Sequence, residues 1–80
     1  MGFFEKFFHR SPPVISEEAA ILIARQACER LHWFWSEPLN ITSRGGTWVI
    51  KTNTNSRGAN ARFVIDQQTG NVIEATFAPR

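Results

Sequence analysis

Cysteine is almost absent from this chain: Cys28 is the only one among 80 residues. A single thiol cannot form a disulfide within the chain, and no charged stretch followed by an apolar stretch and a small-residue cleavage site opens the sequence. Both absences favour a reducing, cytoplasmic setting. The longest apolar run is also far shorter than the roughly 18–20 residues of a membrane-spanning helix, so the sequence predicts a protein that is soluble or peripheral to a membrane.

An excess of charge of one sign is missing too. Nine basic and seven acidic residues give a formal net charge of +2, and the basic residues are scattered along the chain. Proteins that bind nucleic acid normally carry a clustered basic stripe. The distribution therefore argues against DNA or RNA as a partner.

Combinations of side chains that carry chemistry are also missing. Cys28 and His32 stand four residues apart in a predicted helix, but a zinc site needs three or four protein ligands. As a nucleophile and its base, the pair would need an accessible thiolate, whereas Cys28 falls on the apolar side of that helix, where a thiol is normally inert. The sequence thus predicts no catalytic residue, no metal site and no cofactor, and a protein that is not an enzyme.

Aromatic side chains, by contrast, are plentiful: seven Phe and three Trp belong to a hydrophobic content of 42%. Each buried aromatic residue removes about 150–250 Å² from water, so this short chain can form one compact core and has no room for a second. We expect one domain over residues 14–80, preceded by an aromatic segment and proline linker over residues 1–13.

The N-terminal aromatic segment carries two pairs of phenylalanine. In a helix, Phe3 would contact Phe7 and Phe4 would contact Phe8. A segment this short does not hold a helix alone in water. Four fates remain open for it: packing on its own domain, disorder, insertion into a partner's groove, or anchoring at a membrane surface.

Ser16 followed by Glu17 and Glu18 indicates the start of a helix, because the hydroxyl caps free amides and the carboxylates meet the positive end of the helix dipole. We expect a long helix that runs to about Trp35 and stops before Pro38. Its apolar stripe should face a sheet, and it consists of Ala20, Ala24, Ala27, Cys28 and Leu31, flanked by Ile21, Ile23, Phe34 and Trp35.

Two apolar residues are predicted on the opposite, polar face of this helix. Leu22 and Trp33 project there among charged residues. Either another part of the chain covers them or they contact a partner protein. The candidate partner-binding residues are therefore Phe3, Phe4, Phe7, Phe8, Leu22 and Trp33.

Alternation of apolar and polar residues predicts antiparallel strands in the second half of the chain. Leu39 to Arg44 and Thr47 to Thr52 flank the two-residue turn Gly45-Gly46, and a bulged loop with a left-handed Gly70 leads into the last strand. The predicted fold class is α+β, with one long helix packed on a three- to four-stranded antiparallel meander. The expected core face of the sheet is Leu39, Ile41, Trp48, Ile50, Phe63, Ile65, Ile73, Ala75 and Phe77.

The other face of the predicted sheet is mostly polar. Lys51 falls directly opposite Arg62, which is an unfavourable like-charge pair, with Glu74 diagonal to Arg62. An ordinary solvated face is one explanation. The other is an anion-binding site at Lys51 and Arg62, with Asn40 and Thr76 as further contacts.

Three motifs resemble those of the PepSY domain and its short relatives: Ser16-Glu17-Glu18-Ala19-Ala20, the strand Trp48-Val49-Ile50, and the closing motif from Phe63 to Val72. The resemblance implies a helix packed on an antiparallel sheet. It also implies a non-enzymatic module, of a kind often suggested to bind or restrain peptidases, and related sheets occur among small immunity-type proteins. The closing motif then contributes turn-forming residues rather than a site, namely Asp66, Thr69 and Gly70.

We therefore expect a small cytoplasmic binding or regulatory module that acts through protein contacts and is peptidase-inhibitory or immunity-like. One alternative is a peripheral membrane protein anchored by the N-terminal aromatic segment. A weaker alternative is a binder of anions or nucleic acid. An edge strand or the aromatic segment would also allow a homodimer. The sequence names no ligand, partner or pathway.

Overall fold

The computed structural model describes residues 12–79, which form α1 (Glu17–Arg30), β1 (Asn40–Arg44), β2 (Thr47–Lys51), β3 (Asn60–Asp66) and β4 (Val72–Ala78). The strands pair antiparallel in chain order and make one four-stranded sheet, against which α1 packs. The α+β prediction is therefore confirmed. The predicted helical segment at the N-terminus lies outside the described residues, and so do Phe3, Phe4, Phe7 and Phe8.

The start of α1 is as expected. Ser16 has an extended backbone, with φ −73° and ψ 168°, and its Oγ accepts a hydrogen bond from the Ala19 N–H at 3.1 Å. Glu17 and Glu18 occupy the first turn, where their charge complements the helix dipole. The cap and the acidic turn thus fix the beginning of the helix locally.

The expectation of a long helix is wrong, because α1 ends at Arg30 rather than near Trp35. His32 follows with a left-handed φ of 60°. The Trp33 N–H then donates back to the Cys28 carbonyl at 3.0 Å. This backward hydrogen bond across a left-handed residue is the Schellman termination of a helix.

Burial of two tryptophans explains the early end. A longer helix would keep Trp33 on its polar face, whereas after the turn Trp33 stacks on Phe77 at a centroid distance of 5.3 Å. The ring of Trp35 also packs near Phe63, with a centroid distance of 6.4 Å. The expectation that Trp33 shares an exposed helix face with Leu22 is therefore wrong, since Trp33 is half-buried against the core.

The predicted pairing of the first three strands is confirmed. Ile41 pairs with Ile50 across β1 and β2, and Ile50 pairs with Phe63 across β2 and β3. The turn between β1 and β2 consists of Gly45 and Gly46, both with positive φ. Side chains of the sheet and of α1 meet in one core, formed by Ala20, Ala24, Ala27, Cys28, Trp48, Ile50, Ala61, Phe63 and Ile65.

The bulge lies within β4 rather than in the preceding loop. Val72 pairs with Ile65, and the next pair is Glu74 with Val64, so Ile73 is the extra residue. Ile73 is 58% exposed, whereas Val72 packs against the core. The prediction that Ile73 belongs to the core is wrong.

The loop before β4 explains this difference. The Asp66 N–H donates to the Asn71 carbonyl at 2.9 Å, and the Gly70 N–H donates to the Asp66 carbonyl at 2.9 Å. These bonds close the loop tightly and bring Val72 opposite Ile65 before the ladder is interrupted. The extra residue is therefore accommodated one position later, at Ile73.

Ile15, which directly precedes the motif Ser16 to Ala20, contacts both the strand motif at Trp48 and the closing motif. The Ile15 N–H donates to the Gln67 carbonyl at 2.9 Å, and the Trp48 indole N–H donates to the Ile15 carbonyl at 2.8 Å. A Cβ on Gly70 would come within 3.4 Å of the Ile15 side chain. The strand motif and the closing motif thus hold the start of α1 onto the sheet, so they have a structural role here.

Candidate functional site

Two clefts lie at the end of the sheet where β2 ends and β3 begins. The connection between these strands, residues 52–59, folds back on itself through two asparagines. The Asn53 amide donates to the Gly58 carbonyl at 3.2 Å, and the Asn60 amide donates to the Asn53 carbonyl at 2.8 Å. Asn53 is buried and has a left-handed φ of 53°, a conformation that asparagine tolerates well. The loop is thus held in place from within.

The first cleft, which we call the aromatic cleft, has a volume of about 500 Å³. It lies on the helix side of the sheet. Phe34 is 75% exposed at its rim, and Phe77 in its wall is backed by the stacked Trp33. The lining residues are Phe34, Ser36, Asn53, Ala59, Phe77 and Pro79.

Hydrogen bonds fix the segment that carries Phe34. The buried Cys28 thiol lies 3.3 Å from the Trp33 carbonyl and 3.3 Å from the Phe34 carbonyl and donates to this pair of acceptors. Two residues further on, the Asn53 N–H donates to the Ser36 carbonyl at 2.7 Å. The aromatic cleft is therefore formed on a backbone that is anchored to both the helix and the loop.

The environment of Cys28 suits this structural role. Burial raises the pKa of the Cys28 thiol, which disfavours the thiolate needed by a nucleophile or metal ligand. Within residues 12–79, no group of three or more His, Cys, Asp or Glu residues is arranged to hold a metal ion. His32, the other member of the pair considered from the sequence, is exposed after the end of α1.

The second cleft, which we call the cationic cleft, lies on the opposite face of the sheet and has a volume of about 520 Å³. Lys51 pairs with Arg62 in register, with Asn40 beside Lys51 and Thr76 beside Arg62. The cleft brings together all four residues of the predicted anion site. The described residues that line it are Asn40, Lys51, Thr52, Thr54, Asn60, Ala61, Arg62, Thr76 and Ala78.

The charge of the cationic cleft is only partly compensated. Arg62 Nη1 lies 3.2 Å from Glu74 Oε2, with both side chains partly exposed, as expected from their diagonal positions. Among the described residues this is the one salt bridge, and it leaves Lys51 without an acidic partner. The pair Lys51 and Arg62, less the charge of Glu74, therefore presents one net positive charge to solvent.

The structure separates the other predicted partner-binding residues. Leu22 is 59% exposed on α1, whereas Trp33 lies beyond the end of that helix and packs on Phe77. Phe34 was expected in the core but stands at the rim of a cleft. A signal for this was present in the sequence, because three successive aromatic residues, Trp33 to Trp35, cannot all face one side of a helix.

The closing motif forms a turn, as the resemblance implies. Asp66 Oδ1 accepts from the Gln68 N–H at 2.7 Å and from the Thr69 N–H at 2.9 Å. The hydrogen bond from Thr69, followed by that from Gln68, lowers the pKa of the Asp66 carboxyl group. This turn lies at the end of the sheet away from both clefts, so it has no part in the candidate site.

Comparison of the chain with protein-family models, with characterised proteins and with solved structures finds no match. In the part of the chain that the structure describes, no helix is long and apolar enough to cross a membrane. The functional assignment therefore depends on the geometry of the two clefts.

Proposed function

We propose that this chain is a small non-enzymatic binding module that takes up an apolar segment of a partner protein in the aromatic cleft. The observation that carries the proposal is the placement of Phe34, 75% exposed beside Phe77 and Pro79 in a concave surface. Ligand sites are typically concave and lined with apolar and aromatic side chains. Phenylalanine is also among the residues that are enriched at the cores of protein interfaces.

The cleft is built before any partner arrives. Trp33 supports its wall from behind, and the Cys28 thiol and the Asn53 N–H hold the backbone on either side of Phe34. A preformed surface loses little conformational entropy on binding. The binding of a partner's apolar side chain can therefore contribute most of its burial energy to affinity.

Other apolar groups on the described surface are less suited to this role. Leu22 projects from a helix and is not part of either cleft. Ile73 is a single exposed side chain at the bulge of β4. Isolated exposed apolar residues are common on soluble proteins and need no partner. The resemblance to PepSY domains supports a non-enzymatic module. It also predicts that the module is peptidase-inhibitory or immunity-like.

Selection of random short peptides displayed on phage tests the proposal. We expect the full chain to enrich peptides with large apolar residues, and the variant Phe34→Ser to lose their binding. Since Phe34 is mostly exposed, this substitution should leave the fold intact, which circular dichroism checks.

The matched control is Leu22→Ser, which removes another exposed apolar side chain, outside the cleft. Loss of binding with Leu22→Ser but not with Phe34→Ser would move the interface to the helix. If binding were lost only in a version lacking residues 1–10, and in neither substitution variant, the N-terminal aromatic segment would be the binding element. Flotation of the full and the truncated chain with liposomes would then test the membrane alternative.

A further inference from the structure

The two clefts lie back to back over the same strand ends. Residues that are neighbours in the sequence line different clefts. Asn53 lines the aromatic cleft and Thr54 the cationic cleft, and likewise Phe77 lines the aromatic cleft and Ala78 the cationic cleft. Side chains of successive residues in a strand point to opposite faces of the sheet. A chain that leaves one cleft around this end of the sheet therefore meets the other.

We propose that the partner segment that fills the aromatic cleft also places one carboxylate in the cationic cleft, beside Lys51 and Arg62. This inference depends on the proposed function and adds the chemistry of the partner to it. The cation of Lys51 lacks an acidic partner among the described residues. Its direct neighbour across the strands is a second cation, Arg62, and an anion between them would relieve their repulsion.

The amount of charge selects a carboxylate over other anions. Glu74 already neutralises one of the two cations, so the described residues of the cleft offer one net positive charge. A carboxylate carries one negative charge, whereas a phosphorylated side chain carries about −1.5 to −2 near neutral pH. Nucleic acid would require a stripe of cations along the surface, which the row from Asn40 to Thr76 does not supply.

Polar groups at the cleft suit the same ligand. Asn40 and Thr76 flank the two cations in register, and their side chains are able to donate hydrogen bonds to a carboxylate oxygen. A charge-assisted hydrogen bond is stronger than one between neutral groups. The row thus combines attraction for a single charge with donors on both sides of it.

The thickness of the sheet limits the spacing between the two groups of the ligand. Stacked sheets lie about 10 Å apart, so one sheet with the side chains on its two faces is about 10 Å thick. An extended chain rises about 3.3 Å per residue. A chain that turns around the end of the sheet must therefore place at least about three residues between its apolar and its acidic side chain. The expected ligand is therefore a peptide that turns around the end of the sheet, with a large apolar side chain and an Asp or Glu a few residues away.

Peptide selection with three forms of the full chain tests the inference: wild type, Lys51→Glu, and the control Arg25→Glu, which makes the same charge reversal on the exposed side of α1. We expect the wild-type pool to be enriched in Asp or Glu near the apolar residue. The Lys51→Glu pool should lose this enrichment and gain Lys or Arg. The Arg25→Glu pool should match the wild type.

Two results would overturn the inference, and only one of them would also reject the proposed function. Pools that depend on Phe34 but have the same acidic content for wild type and Lys51→Glu would reject the carboxylate contact and retain the proposed function. Failure of the wild type to enrich any pool that depends on Phe34 would reject both the inference and the proposed function.

The affinity for one selected acidic peptide gives a second measure. Lys51→Gln should weaken the binding of this peptide up to about fivefold at low salt, which is the range of an exposed ion pair.

Discussion

The indole ring of Trp33 stacks on the ring of Phe77, with centroids 5.3 Å apart and planes inclined by 23°. This contact joins the turn after α1 to the last strand of the sheet. It determines where the helix ends, and it supports the wall of the aromatic cleft from behind. The stability of the fold and the shape of the candidate site therefore depend on the same pair.

Replacement of Trp33 by Ala should lower the free energy of unfolding by about 2–3 kcal/mol, less than for a fully buried tryptophan because Trp33 is half-buried. Urea unfolding followed by far-UV circular dichroism measures this. The control Phe34→Ala removes the exposed neighbour and should change stability by no more than about 0.5 kcal/mol. Equal effects of the two substitutions would contradict the assignment of Trp33 to the core.

His32 should be replaceable by Gly with a gain in stability. It holds a left-handed φ of 60° while its N–H donates to the Glu29 carbonyl at 3.1 Å. A non-glycine residue pays about 1–2 kcal/mol for this conformation, and the greater flexibility of Gly in the unfolded chain offsets part of the gain. We expect His32→Gly to raise the free energy of unfolding by about 0.5–1 kcal/mol, which thermal unfolding measures. His32→Ala keeps the backbone strain and should not stabilise the protein.

Substitution of Gly70 by Ala should be more harmful than the same change at Gly45. Both glycines have positive φ, but a Cβ on Gly70 would lie 3.3 Å from Ile23 Cδ1, whereas nothing lies within 4 Å of a Cβ on Gly45. Gly45→Ala should therefore cost about 1 kcal/mol for backbone strain alone, and Gly70→Ala about 2 kcal/mol. Equal losses in urea unfolding would show that the packing of Ile15 and Ile23 against Gly70 is loose.

Stability should fall at alkaline pH because of Cys28. Burial raises the pKa of its thiol in the folded state, so the unfolded chain ionises first as the pH rises. The contribution is complete below the ordinary thiol pKa of about 8.5 and is lost as the pH rises through the folded-state value. Denaturant unfolding across this range measures the slope. Cys28→Ala should unfold with a smaller dependence on pH, and an unchanged slope would contradict the role of the thiol.

The sheet was the more predictable part of the fold. The alternation of apolar and polar residues sets which face of each strand is buried, so the pairing of Ile50 with Phe63 and of Lys51 with Arg62 followed from the sequence. The two positive-φ glycines between β1 and β2 define that turn locally. For the same reason, the four residues of the predicted anion site do line one cleft.

The end of the helix and the aromatic cleft were less predictable, because the run Trp33 to Trp35 indicates that one aromatic residue leaves the core but not which one. Periodicity from Glu17 to Trp35 is compatible with one continuous helix, and only the burial of Trp33 on Phe77, which is distant in sequence, favours the turn at His32. The exposure of Phe34 is a consequence of that turn. The position of the bulge at Ile73 likewise depends on loop hydrogen bonds that a pattern of side chains does not encode.

Chemical-shift mapping by NMR tests the central claim most directly. The ¹⁵N-labelled full chain is titrated with a peptide obtained from the selection. If the aromatic cleft is the binding site, the amide signals of Phe34, Ser36, Asn53, Ala59 and Phe77 should shift most, while that of Leu22 stays in place. Shifts concentrated along the exposed face of α1, with those five signals unchanged, would contradict the account.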